Sequence, residues 1–218
     1  MRELLLSEIL VRELEEIYSM LQQEYSRVAK ELDFSCDGCP DNCCDSYFLH
    51  YTYAEWAYLW RGVKQLPQEK QQQLIDRARS YIQECEKALS RDTRPQVMCP
   101  LNEQGLCLLY KHRLLVCRTH GVPATMTRPD GRTLRFPGCF RCQEIVEGRP
   151  GETAAPHVER TPLLQRLARL EGDLLDSRRH LLPKIRMTIA EMLVKGPPAL
   201  VLLHCERHCQ GGQDAKPE

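Results

Sequence analysis

The chain has 218 residues, and its 30 Lys plus Arg are matched by 30 Asp plus Glu, so no global field draws it to nucleic acid or an acidic membrane. A chain of this length can bury roughly 70% of its unfolded surface, so its twelve cysteines are not needed as staples and require a chemical reason. Two Trp and four Phe suit a leucine-rich helical core better than a β-sandwich. The expected fold class is mainly α with a small β-hairpin-containing, cysteine-rich centre (α+β).

In chain order, Met1 to Glu8 meets acids early and has no continuous apolar stretch, so no secretory leader is expected. Apolar side chains at Leu10, Leu14, Ile17, Leu21, Tyr25, Val28 and Leu32 step by three and four, which predicts an amphipathic helix within residues 1–33. Thr52-Tyr53-Ala54-Glu55 has the form of a capping box and opens a helix to about Gln65. Pro67 starts another, to about Ser90, whose buried stripe includes Cys85 as a packed thiol.

Beyond Arg91 the texture turns to short strands. Val97–Leu101 and Leu106–Tyr110 flank a Gly-containing loop and read as a hairpin, and Ala124–Phe136 reads as a second one turning at Pro129-Asp130-Gly131. Residues 147–160 read as a linker and 161–210 as a helical segment, opened at Thr161-Pro162 and interrupted at Pro183. Residues 211–218 are expected to be a disordered tail. The longest late apolar run, Pro197 to His204, is too short to span a membrane. A cytoplasmic protein is expected, in which clustered thiols stay reduced and argue for metal or redox chemistry.

Residues 34–146 hold that chemistry. Cys36-x2-Cys39-x3-Cys43-Cys44 puts four thiols within nine residues, beside Asp37, Asp41 and Asp45. Thiolates so crowded repel one another unless a cation neutralises them. Adjacent Cys43 and Cys44 cannot both aim one way along an extended chain, so they need a bent backbone or serve different roles. Cys99 and Cys107 are expected on the two arms of the first hairpin, with Cys117 returning nearby and Lys111, His112, Arg113 and Arg118 among them to offset negative charge. Cys139-x2-Cys142 makes a third pair. These nine candidate ligands exceed one four-coordinate site, so either two centres exist or some thiols play other parts.

The Cys36, Cys39, Cys43, Cys44 spacing resembles the opening of the YkgJ-type cysteine-cluster family, described as zinc- or iron-chelating domains. The resemblance continues through Cys99-Pro100, Cys107-Leu108-Leu109-Tyr110, Arg113 and Cys117-Arg118, with Cys139 as the counterpart of a later cysteine. Leu114 stands where the family usually has Pro. It implies a thiolate-held metal ion or iron–sulfur cluster as partner, serving metal handling, cofactor supply or redox work. Relatives described as flagellin lysine N-methylases make protein-lysine methyl transfer an alternative, although no Gly-rich loop follows a strand to cradle a nucleotide-like donor. A structural zinc domain organising a helical interaction module is another, and the flanking helices could dock a protein partner.

Zinc suits a tetrathiolate site. The ferredoxin-type cysteine run is absent, yet the excess of thiols and the interspersed arginines tilt the expectation toward iron–sulfur. His50, His112 and His120 are expected to hydrogen-bond near the centre rather than to ligate it. His204-Cys205-Glu206-Arg207-His208-Cys209 offers a further His/Cys cluster with helical spacing.

Overall fold

The computed structural model describes residues 2–37, 39, 42–149, 155–176 and 178–200. Its first long helix, α1 (Glu8–Glu31), begins where the Ser7 hydroxyl accepts the Leu10 N–H at 3.3 Å. Val11, Leu14, Ile17, Tyr18, Leu21 and Val28 form its buried stripe. The helix stops at Asp33, whose φ of 51° lies in the left-handed region, and Phe34 returns its N–H to the Ala29 carbonyl at 2.8 Å.

Helix α2 (Tyr53–Val63) is buried on nearly every side, and α3 (Gln68–Leu89) follows after Pro67. Next come β2 (Asn102–Glu103) and β3 (Leu106–Cys107), α4 (Leu115–Thr119), and the pair β4 (Ala124–Thr127) and β5 (Thr133–Phe136). Helix α5 (Phe140–Glu147), β6 (Val158–Glu159), α6 (Thr161–Leu174) and α7 (Ile189–Lys195) complete the order, with β1 (Arg2–Glu3) and β7 (Ala199–Leu200) pairing antiparallel. The fold is mainly α with a small β portion. Among the described residues no helix is long and apolar enough to cross a membrane.

Two hydrophobic clusters organise these elements. The larger gathers side chains from Leu4 through Leu193, so α1, α2, α3, α4, α6 and α7 share it. Both indoles of α2, Trp56 and Trp60, donate to the Met192 carbonyl of α7 at 3.1 and 2.9 Å. The smaller cluster joins Val28, Leu32 and Phe34 to Val122, Ala124, Cys142 and Val158.

Several expectations change. The first hairpin is much shorter than the spacing suggests, with Asn102 opposite Cys107. Cys99 therefore precedes its strand instead of lying on it. Pro100 has no N–H to give a ladder, and the Cys99 carbonyl accepts the Asn102 N–H at 2.9 Å to close a turn. The expected linker holds a strand, since β6 runs parallel to β4, Ala124 opposite Val158. Helices α4 and α5 lack a sequence signal, being one to two turns long. Thr161 is the first helical residue of α6, with Arg160 at the cap. Cys85 is the packed thiol expected, buried beside Tyr81. The His204–Cys209 cluster and the tail lie outside the described residues.

Candidate metal centre

Two buried carboxylates pass position from the helical core to the cysteines. Glu171 of α6 accepts the Ala54 N–H at 3.0 Å, in the first turn of α2, and is paired with Arg179 at 3.2 Å. Glu55 of α2 in turn accepts the Leu115 N–H at 2.9 Å, at the start of α4. A carboxylate at a helix N-terminus satisfies an orphan donor and meets the positive end of the helix dipole. Helix α4, which carries Cys117, is thereby fixed to the core.

Cys44 reaches the same place from the other side. It lies in a 3-10 turn, Cys43–Asp45, capped by Asn42, whose side chain accepts the Cys44 N–H at 3.0 Å. With about three residues per turn, neighbouring side chains there diverge by about a third of a circle. The Cys44 carbonyl accepts the Cys99 N–H at 2.8 Å, and Ser46 bridges Gln96 antiparallel. The early loop and the segment before β2 are thus joined backbone to backbone.

Cys44, Cys99, Cys107 and Cys117 consequently face one cavity of about 390 Å³, whose lining also includes Cys36 and Cys43. Burial raises the Cys99 thiol, opposed by an N–H from Leu101, and the thiols of Cys117, Cys44 and Cys107 push it further. Burial likewise raises Cys107, while an N–H from Leu109 and the charges of Arg113 and Arg118 pull the other way. Cys117 is pushed up to about 12 by burial, then by Cys107, Cys44 and Glu55, with Arg113 opposing. Both amide bonds come from the residue two places after the cysteine, the arrangement that favours a sulfur in its charged form.

The two arginines are held in place. Arg118 donates to the carbonyls of Arg113 and Lys111 at 2.8 and 2.7 Å and lies over the Tyr18 ring at 4.4 Å. Arg113 covers the Tyr110 ring at 3.8 Å, and its buried Nε has no hydrogen-bond partner among the described residues.

Cys36 and Cys43 line this same cavity, and Cys39, Cys139 and Cys142 have partners of their own. The Tyr25 hydroxyl is 3.8 Å from the Cys36 sulfur, and Arg141 hydrogen-bonds Cys39. Cys139 caps α5 and donates its N–H to the Gly121 carbonyl at 3.0 Å. Burial pushes Cys43 up to about 11, aided by Cys139, Cys36, Cys39 and then Cys44. Cys142 is fully buried in the smaller cluster, and burial, then Cys139 and Cys36, push it up to about 11.

No disulfide joins the described cysteines. Among the described residues, no three His, Cys, Asp or Glu side chains are already gathered as they would be around one bound ion. The chemistry of the lining is that of a thiolate site: Cys36, Cys43, Cys44, Cys99, Cys107 and Cys117 line one cavity, the Leu101 and Leu109 amides bond Cys99 and Cys107, and the unpartnered Nε of Arg113 belongs to the same lining.

His50, His112 and His120 all line the cavity. Burial lowers His50 to about 4, and its Nδ1 has no hydrogen-bond partner among the described residues. His112 tilts against Tyr58 at 4.8 Å and His120 meets Phe48 edge-on at 5.0 Å. The His112 and His120 rings pack against aromatic neighbours. Sequence reasoning missed Tyr25, which sits in an apolar stripe, and Arg141, which lies between two cysteines. It read Glu55 only as a cap for its own helix.

No protein-family model matches this sequence, and no curated protein or solved structure is significantly similar to it.

Proposed function

We propose that this chain is a thiolate metal protein of the cytoplasm, holding an iron–sulfur cluster or zinc through Cys44, Cys99, Cys107 and Cys117. The observation that carries the reading is the convergence of those four residues on one cavity that Cys36, Cys43, Arg113 and Arg118 also line. Four thiolates around a doubly positive core, whether zinc or a four-iron cluster, leave two net negative charges. Two fixed guanidiniums offset them, and the Leu101 and Leu109 amides add hydrogen bonds that stabilise charged sulfur.

Bound there, an iron–sulfur cluster would supply one-electron chemistry, and zinc would supply a rigid crosslink. The protein's own residues orient the sulfurs, exclude water with the α2 and α7 core, and hold the compensating charge. The YkgJ-type resemblance is consistent with this reading and rests on the cysteine spacing together with Pro100, Tyr110, Arg113 and Arg118.

A purely structural zinc role is the second reading. Its support is that Cys99, Cys107 and Cys117 pack against the larger hydrophobic cluster, so an ion there would tie a turn, a strand and a helix to the core. Anaerobic purification followed by metal analysis and visible spectra separates the two. A brown, reducible protein containing iron and sulfide supports the cluster, and colourless protein with stoichiometric zinc supports the structural ion. Metal-free protein that takes up neither contradicts both.

A further inference from the structure

The three-stranded sheet has the order β5-β4-β6, which makes β5 an edge. Thr125 and Thr127 of β4 turn their backbone toward β6 and α6. The Thr125 carbonyl accepts the Arg160 N–H at 2.9 Å, and the Thr127 N–H reaches the Thr161 hydroxyl at 2.7 Å. Their partners across the ladder are Arg135 and Thr133. Hydrogen-bonded and non-bonded pairs alternate in an antiparallel ladder, so Thr133 and Arg135 turn their N–H and C=O groups away from β4. Neither makes a backbone bond with another described segment, and all four residues of β5 are exposed. Such a row is a template for a further strand.

The side chains on this edge define the strand that fits it. Arg132 and Arg135 form no ion pair among the described residues. Asp130 is paired with Arg128 at 3.6 Å, and Glu159 accepts from the Thr125 hydroxyl at 2.9 Å. Glu147 lines the same groove as Arg135 without pairing with it. Successive side chains alternate between faces, so Leu134 and Phe136, both exposed, lie on the face opposite Arg135. The Arg160 guanidinium stands 5.0 Å from the Phe136 ring, and its buried Nε has no partner among the described residues.

We propose that β5 is the docking edge for an extended acidic segment of a partner protein, which adds as a fourth strand and sets carboxylates against Arg132 and Arg135. Main-chain bonds to Thr133 and Arg135 hold the segment, and apolar residues between its acids cover Leu134 and Phe136. A second copy of this chain fits poorly, because pairing β5 with itself brings like-charged arginines together across the new ladder. The docking edge is independent of the thiolate reading above.

The test uses the isotope-labelled full chain and two short capped peptides, one alternating Glu with Val and one alternating Lys with Val. The Glu–Val peptide should shift the β5 amide resonances and, at saturation, slow hydrogen exchange at Thr133 and Arg135 about 10-fold or more. The Lys–Val peptide should do neither. Arg135→Glu should weaken the Glu–Val peptide about 10-fold, since an attractive cross-strand pair becomes repulsive. Thr133→Pro keeps every charge and removes an outward N–H that β4 does not use. It should abolish the protection at Arg135 while the β4 amides stay as in wild type.

Equal binding of the two peptides, or no shift at the highest soluble peptide concentration, overturns the proposal. Binding that Thr133→Pro leaves intact is charge attraction without strand addition and also overturns it. So does self-association of the unliganded chain through β5, or Arg135-dependent binding of anionic vesicles or RNA while the Glu–Val peptide stays unbound.

Discussion

The carboxylate of Glu55 accepts the backbone N–H of Leu115 across 2.9 Å, although the two lie 60 residues apart. Burial raises the Glu55 carboxyl, while the Leu115 and Thr52 hydrogen bonds lower it. The start of α4, and with it Cys117, is therefore tied to a fully enclosed group on α2. Glu55→Ala leaves the Leu115 donor buried and unpaired, at a cost of about 1–3 kcal/mol. Urea denaturation should show that loss, and Glu55→Gln, which keeps an acceptor oxygen, should recover part of it. Equal stability of Glu55→Ala and wild type would refute the tie.

His50 gives the chain an acid-sensitive element. Its folded pKa, near 4, lies below the ordinary 6.5 because burial disfavours the cation. The unfolded chain binds the proton first, so stability is full above pH 6.5 and declines as pH falls toward 4. The accumulated loss reaches about 3 kcal/mol, from roughly 2.5 units at 1.36 kcal/mol each. His50→Gln should remove this part of the acid slope, seen as a smaller difference in unfolding midpoint between pH 7 and pH 5 than in wild type.

Gly138 has a φ of 89°, and a Cβ there would stand 2.5 Å from the Gly121 carbonyl oxygen. Gly138→Ala thus meets backbone strain and a backbone clash together. A loss of about 2 kcal/mol or more is expected from positive φ and displacement combined. Because Cys139 hydrogen-bonds that same carbonyl, alkylation of Cys139 should also accelerate.

Leu170 on α6 is fully buried in the larger cluster and does not line the cavity. Leu170→Ala should cost about 2–5 kcal/mol while leaving the metal stoichiometry of the folded protein unchanged. A change in metal content at temperatures where this variant is folded would argue that the core and the centre are less separable than described.

The long helices were legible because α1, α3 and α6 carry apolar side chains at helical spacing, with Thr52, Pro67 and Pro162 marking the starts of α2, α3 and α6. The cysteines of the site were legible as a set, because nine thiols crowd into short stretches outside any apolar stripe, where packing alone would not place them. Their grouping was not. Cys44 joins Cys99 through one backbone bond between distant segments, and no local pattern records it. Helices α4 and α5 escaped notice for a related reason: α4 is five residues long and α5 eight, too short for periodicity to speak, and tertiary contacts such as Glu55 with Leu115 hold them. The β6 strand hid in a Gly- and Pro-rich stretch because only two of its residues pair.

X-ray absorption spectroscopy at the iron or zinc edge of anaerobically isolated protein tests the central claim most directly. A first shell made of sulfur alone is expected, at about 2.3 Å for zinc, with Cys107→Ser replacing one sulfur by a lighter scatterer or releasing the metal. A shell of nitrogen and oxygen, or one indifferent to the loss of Cys44, Cys99, Cys107 and Cys117 in turn, would contradict it.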